Sequence, residues 1–125
     1  SPVNLVDSCG WLEYFADGPN ASFFAGPIED TNSLLVPTIC ILEVFKRILQ
    51  QRSRQEALQA VSAMQEGAVV DLDVATALNA AVIGTEAKLP LADSVILATA
   101  RANEAVVWTQ DADFEGMEGV RYRPA

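Results

Sequence analysis

The 125-residue sequence contains no histidine. A Ser–His–Asp or Cys–His nucleophilic site is therefore excluded. Only two cysteines are present, so the usual zinc ligand sets are excluded as well. Cys9 and Cys40 lie among apolar neighbours without a paired spacing, and they are expected to be reduced core thiols. No apolar run reaches the roughly 18 residues of a membrane span. The greasiest stretch, residues 34–45, is broken by Pro37 and interrupted by Glu43. No basic segment followed by an apolar one opens the chain, so no signal peptide is expected and the cytoplasm is the expected location. Positive charge is also scarce: eight Lys and Arg stand against seventeen Asp and Glu, a net charge of −9. That balance disfavours a simple basic-patch nucleic-acid binder. Acid–base or metal chemistry must then rest on carboxylates, whose hard oxygens suit Mg²⁺ or Mn²⁺.

What is present is apolar and periodic. Half of the residues are hydrophobic, enough for a core, and the length points to one domain over residues 1–125. Apolar runs bounded by polar residues predict strands at 3–6, 34–36, 68–72, 105–108 and 120–123, the last at an edge. Helical spacing predicts helices over 9–15, 21–28, 39–51, 55–65, 74–88 and 91–103. Ser8, Thr38 and Asp73 are the expected N-caps. Ile41, Leu42, Phe45, Ile48 and Leu49 are the expected apolar face of the third helix, and Ala57, Leu58, Val61 and Met64 that of the fourth. Strands alternating with helices imply an α/β fold, a parallel sheet with helices on both faces.

Carboxylates stand out at four places. Asp7 follows the first strand, Glu43 interrupts an apolar helix, Asp93 lies in the first turn of another, and Asp111 and Asp113 follow the strand ending at Trp108. Ligands of open parallel sheets bind beyond the carboxyl ends of the strands, where Asp7 and the Asp111/Asp113 pair are placed. Each has a bland alternative. Asp7 can cap a turn, Glu43 can pair with Arg47 on a solvated face, Asp93 can satisfy a helix dipole, and the last pair can form a turn.

The order and contexts together resemble the PIN domain, and within it the small VapC-like toxin nucleases. The matching pieces are Val6-Asp7-Ser8 after the first strand and Glu43 in the helix after the second. They continue with Leu91-Ala92-Asp93-Ser94 opening a small-apolar helix and end with Thr109-Gln110-Asp111-Ala112-Asp113-Phe114. The resemblance spans nearly the whole chain. It implies a three-layer α/β/α domain with a parallel, roughly five-stranded sheet. It also implies a Mg²⁺- or Mn²⁺-dependent ribonuclease, the toxin of a toxin–antitoxin pair. Asp7, Glu43, Asp93 and Asp111 match the catalytic and metal positions, Asp113 is an additional acid, and Ser8 and Thr109 match polar positions beside them. A homodimer is implied too, with the alanine-rich helix over 74–88 and the apolar helix over 42–49 as candidate surfaces. The charge pattern adds an RNA-holding strip of Lys46, Arg47, Arg52 and Arg54. The resemblance further implies an antitoxin that wraps the domain, and the charge pattern makes it one with a basic segment that enters among the acids, with an apolar anchor near Trp11 and Phe15. Two other classes fit less well. A phosphoacceptor signalling domain would need an acidic neighbour for Asp7 and a late lysine, yet no lysine follows Lys88. An inactive interaction domain would have no need of the full acidic set.

Overall fold

The computed structural model describes residues 3–125. Its centre is a five-stranded parallel sheet in the order β3-β2-β1-β4-β5, with helices on both faces. In chain order the elements are β1 (Val3–Val6), α1 (Ser8–Phe15), α2 (Ala21–Glu29), β2 (Leu34–Pro37), α3 (Thr38–Gln51) and α4 (Arg54–Met64). They continue with β3 (Ala68–Val70), α5 (Val74–Ala87), α6 (Leu91–Ala102), β4 (Ala105–Thr109) and β5 (Val120–Tyr122). The chain leaves β1 for β2 and β3 on one side, then returns to β4 and β5 on the other. Between β1 and β4 the winding reverses, which is where an open parallel sheet forms its crevice. The facing ends of these two strands are occupied by Asp7 and, two residues beyond β4, Asp111.

Strand β2 is buried on both faces, so it reads as a continuous apolar run rather than an alternating one; β1 is buried at Leu5 and Val6 and half-buried at Val3 and Asn4. Leu5, Val6, Val36 and Val107 are buried completely, together with Trp11, Phe24, Met64, Ile96 and Phe114. Gly10 lets α1 approach α2 and β1 closely: a Cβ there would lie 2.6 Å from the Phe24 ring and 2.7 Å from Val6 Cγ1.

Several local expectations shift. Asp7, not Ser8, caps α1, its carboxylate accepting the Ser8 amide. Pro37, not Thr38, precedes α3, with no side-chain cap. The core side of α3 centres on Cys40 and Val44, whereas Leu42 and Leu49 are exposed. Leu58 of α4 is exposed as well, and Ala60 takes its place in the core. β3 is a three-residue edge strand, two residues shorter at its end than expected. No helix among the described residues is long and apolar enough to cross a membrane.

Candidate metal centre

The site is assembled from three chain breaks at the carboxyl edge of the sheet. Asp7 ends β1 in extended backbone and caps α1. Its amide still belongs to the sheet, donating to the Trp108 carbonyl at 2.9 Å. One carboxylate oxygen, Oδ1, accepts the Ser8 amide at 2.7 Å. The other, Oδ2, accepts the Thr109 hydroxyl at 2.7 Å and faces the Cys9 thiol at 3.4 Å. The side chain, only 3 % exposed, is thus held from three directions.

Thr109 links both strand ends. Its hydroxyl donates to Asp7 and accepts the Asp111 amide at 2.9 Å. Asp111 then caps a short 3₁₀ turn, Ala112–Phe114, its Oδ1 accepting the Asp113 amide at 2.9 Å. Asp93 enters from the first turn of α6, where no side chain caps the helix. Oxygens of Asp7, Asp93 and Asp111 lie within 4.8 Å of one another, the one such acidic group among the described residues.

The electrostatics follow from that crowding. Burial, followed by the charges of Asp111 and Asp7, lifts the Asp93 carboxyl from 3.8 to about 8. Burial also raises Asp7, against the lowering effect of its hydrogen bonds to Thr109, Cys9 and Ser8. Like charges forced together in a partly dry pocket favour the protonated form. A divalent cation relieves the same repulsion. The donor set consists of hard carboxylate oxygens, so it fits Mg²⁺ or Mn²⁺ in its chemistry.

Glu43 stands apart from these three. Its Oε1 accepts the Ser8 hydroxyl at 2.7 Å, and no ion pair with Arg47 forms among the described residues. It lines the same cleft of about 580 Å³, with Lys46 and Arg47 further along α3. Asp113 is exposed and uses its amide, not its carboxylate, in the bond to Asp111. Ser8 and Thr109 therefore each touch an acid of the group. A second groove of about 590 Å³ continues from the cleft through Cys9, Leu12 and Arg47 towards Phe15, Arg52 and Gln59. Arg54 lies outside both, and Trp11, expected beside a groove, is fully buried in the core.

Cys9 is the residue that the pattern of the sequence did not mark. It was expected in the core, yet it is half-buried and lines the cleft. Burial and the Asp7 charge push its thiol up to about 12, so it remains protonated. Its position two residues after Asp7, in the first turn of α1, is the one available signal. Cys40 is buried, as expected.

The family model for the PIN domain matches residues 5–120. Among solved structures, a toxin–antitoxin complex from Klebsiella pneumoniae superposes with a TM-score of 0.81 at 22 % identity, covering 94 % of this chain and 95 % of the other. DNA-bound VapBC from Salmonella typhimurium gives 0.76 at 17 % identity, covering 99 % and 98 %. VapC20 of Mycobacterium tuberculosis, a sarcin–ricin-loop-cleaving toxin, gives 0.73 at 15 % identity, covering 94 % and 98 %. No curated protein sequence matches the chain.

Proposed function

The chain belongs to the PIN domain family, and from that premise we propose that it is a Mg²⁺- or Mn²⁺-dependent endoribonuclease, the cytoplasmic toxin of a toxin–antitoxin pair. Residues 1–125 form its single nuclease domain in this reading. The observation that carries it is the convergence of Asp7, Asp93 and Asp111 at the β1/β4 crevice, in a cleft that also holds Glu43, Lys46 and Arg47.

Asp7, Asp93 and Asp111 would hold the ion, with Asp113 at the outer rim. Bound there, the ion would act as a Lewis acid on the scissile phosphodiester and stabilise charge on its leaving oxygen. The protein's own part is positioning. Thr109 and the Ser8 amide fix both oxygens of Asp7. Ser8 fixes Glu43 through Oε1, which leaves Oε2 open to accept a proton or hydrogen bond from an attacking water. Lys46 and Arg47 neutralise and orient the RNA phosphates entering the cleft. Arg52, which lines the adjoining groove, extends that strip.

The antitoxin is a polypeptide with a basic segment. A cation from it would take the place of the metal's charge among the acids, held by charge-assisted hydrogen bonds. Leu12, Phe15 and Ile48 in the adjoining groove would receive its apolar anchor. Self-association as a homodimer draws on the exposed Val74, Leu78 and Val82, four residues apart along α5. A contiguous apolar stripe of this kind marks an interface, and light scattering at micromolar concentration checks it.

The deciding experiment incubates purified protein with assorted RNAs and Mn²⁺, with and without chelator. Cleavage is expected only with metal, and it should disappear in Asp7→Asn. RNA that stays intact at every metal concentration, or that is cut equally well by Asp7→Asn, would overturn the assignment.

A further inference from the structure

Four of the eight basic residues lie between positions 46 and 54, on the α3 side of the acids. Arg121 and Arg123 lie on the opposite side, and the reading above gives them no role. β5 runs parallel to β4 at the sheet edge, with Trp108 opposite Arg121 and Thr109 opposite Tyr122. Its carboxyl end therefore points the same way as those of β1 and β4, one strand further along. The Arg123 amide extends the ladder by donating to the Thr109 carbonyl at 3.0 Å. Thr109 is the residue whose hydroxyl holds Asp7, so Arg123 is anchored directly to the frame of the acid cluster.

The two side chains are pre-set by aromatic rings. The Arg121 guanidinium lies 4.9 Å over Trp108, and that of Arg123 lies 4.6 Å over Phe23. The two rings meet with centroids 5.0 Å apart, and the Trp108 indole is fixed by its N–H bond to Asn4 Oδ1 at 2.9 Å. Stacking engages the flat face of a guanidinium and leaves its in-plane N–H donors open. Both arginines are exposed, and neither pairs with a carboxylate among the described residues. In a chain carrying seventeen acids, such unneutralised, pre-oriented cations are where a polyanion can land. The chain just beyond Arg123 is tied to a residue of the second groove through Asn20. Asn20 Nδ2 lies 3.0 Å from Gln110 Oε1 and 2.9 Å from the Pro124 carbonyl, and Gln110 lines that groove with Arg47.

We propose that Arg121 and Arg123, stacked on Trp108 and Phe23, grip the phosphates of single-stranded RNA on the β5 side of the cleavage site. The proposal rests on the ribonuclease reading and gives its substrate a path: from Lys46 and Arg47 on α3, across the ends of β1 and β4, to the β5 edge. Adjacent strands lie about 4.8 Å apart, so β5 is about 10 Å from β1, within reach of a short stretch of RNA. Cations then flank the acids on both sides, which answers how so acidic a protein holds a polyanion. Planar guanidinium groups suit the bidentate capture of phosphate, and phosphate contacts set position without reading sequence.

The test is fluorescence anisotropy with a short fluorescein-labelled single-stranded RNA. It uses the Asp111→Asn protein, which cannot cut it, over about 50 to 200 mM salt. Adding Arg121→Gln and Arg123→Gln should weaken binding several-fold. It should also flatten the log–log salt slope by about 1.4, roughly 0.7 for each lost phosphate contact. Arg101→Gln, an exposed base on α6, should change neither. With Asp111 restored, the glutamine pair should raise KM for RNA cleavage and leave kcat unaltered. If the pair also melts early, Arg121→Lys with Arg123→Lys, which keeps the charge, must restore the slope. An unchanged slope and KM in a protein that still cleaves RNA overturns the edge assignment and leaves the nuclease reading standing. Unchanged RNA binding with loss of the antitoxin overturns it in favour of a protein contact. An unsubstituted chain that neither binds nor cuts RNA fails both readings together.

Discussion

Replacing Asp93 by asparagine is expected to stabilise the metal-free protein above neutral pH while ending RNA cleavage. The perturbation removes one of three acids whose oxygens crowd within 4.8 Å. Burial and the neighbouring charges of Asp111 and Asp7 raise the Asp93 carboxyl from 3.8 to about 8. Because the folded-state value lies above the unfolded one, the folded protein retains a proton that the unfolded chain has released between those limits. Stability must therefore fall as pH rises from about 4 to about 8, and the loss is complete above that window. At about 1.4 kcal/mol per pH unit the full loss would be about 5 to 6 kcal/mol. Asp93 is only half-buried, and solvent screening reduces the working figure to about 2 kcal/mol. For a chain of this size that is about 8 °C in Tm. Thermal unfolding followed by circular dichroism, in chelator across this pH range, is the assay. The variant should melt higher than the unsubstituted protein at pH 8, and the gap should close near pH 4. A variant that melts lower at pH 8, or a gap independent of pH, would show that the acids do not repel in the free protein. Normal RNA cleavage by the same variant would refute the role given to Asp93.

Mn²⁺ should raise the melting temperature at pH 8, by about 2.7 kcal/mol of added stability at a hundredfold excess over its Kd; a thermal melt unmoved by millimolar Mn²⁺ would count against an assembled centre. Ser8→Ala removes the 2.7 Å bond that aims Glu43 and should lower kcat for RNA cleavage by roughly 10- to 100-fold, the usual effect of losing a supporting contact at a metal site. Its melting temperature should hardly move, and an unaltered kcat would show that Glu43 needs no such aiming. Gly10→Ala would place a Cβ 2.6 Å from the Phe24 ring and should cost about 1–3 kcal/mol by overpacking. A calorimetric melt identical to that of the unsubstituted protein would mean that α1 and α2 have room to part.

The order of the elements was legible because each apolar run has its own period and stops at a polar residue. Which apolar stripe faces inward was less legible. On α3, apolar residues occupy more than one stripe, so spacing alone favoured Leu42 and Leu49, yet Cys40 and Val44 face the core. Leu58 misled in the same way, since Ala57 and Ala60 fit against the neighbouring elements where a leucine stays outside. β3 was read too long because Asp71 and Leu72 continue an alternating pattern; pairing with β2 stops at Val70, opposite Pro37. The stacked arginines were invisible for a different reason. Arg121 and Arg123 gain meaning only from β4–β5 register and from α2, and neither can be read from their own neighbours in sequence.

The acids themselves show why local and functional readings of the same residue need not compete. Asp7 does cap a helix, as a turn-favouring aspartate should, and Asp111 does cap a 3₁₀ turn. In both cases the break that ends a strand frees backbone N–H groups, and those groups aim the carboxylate. The Ser8 amide takes Oδ1 of Asp7, and the Asp113 amide takes Oδ1 of Asp111. Asp111 also shares a side-chain hydrogen bond with Asp93, while the second oxygen of Asp7 faces Thr109 and Cys9. The cap is therefore the device that restrains each side chain before any ligand arrives, which lowers the ordering cost of binding one. Glu43 behaves otherwise. Its local alternative, a pair with Arg47 along α3, is not formed, and Ser8 from another helix takes the carboxylate instead. That exchange leaves Arg47 uncommitted where the cleft meets the second groove. One carboxylate oxygen of Glu43 is thus held by Ser8, and Arg47 is left open to an anion from outside.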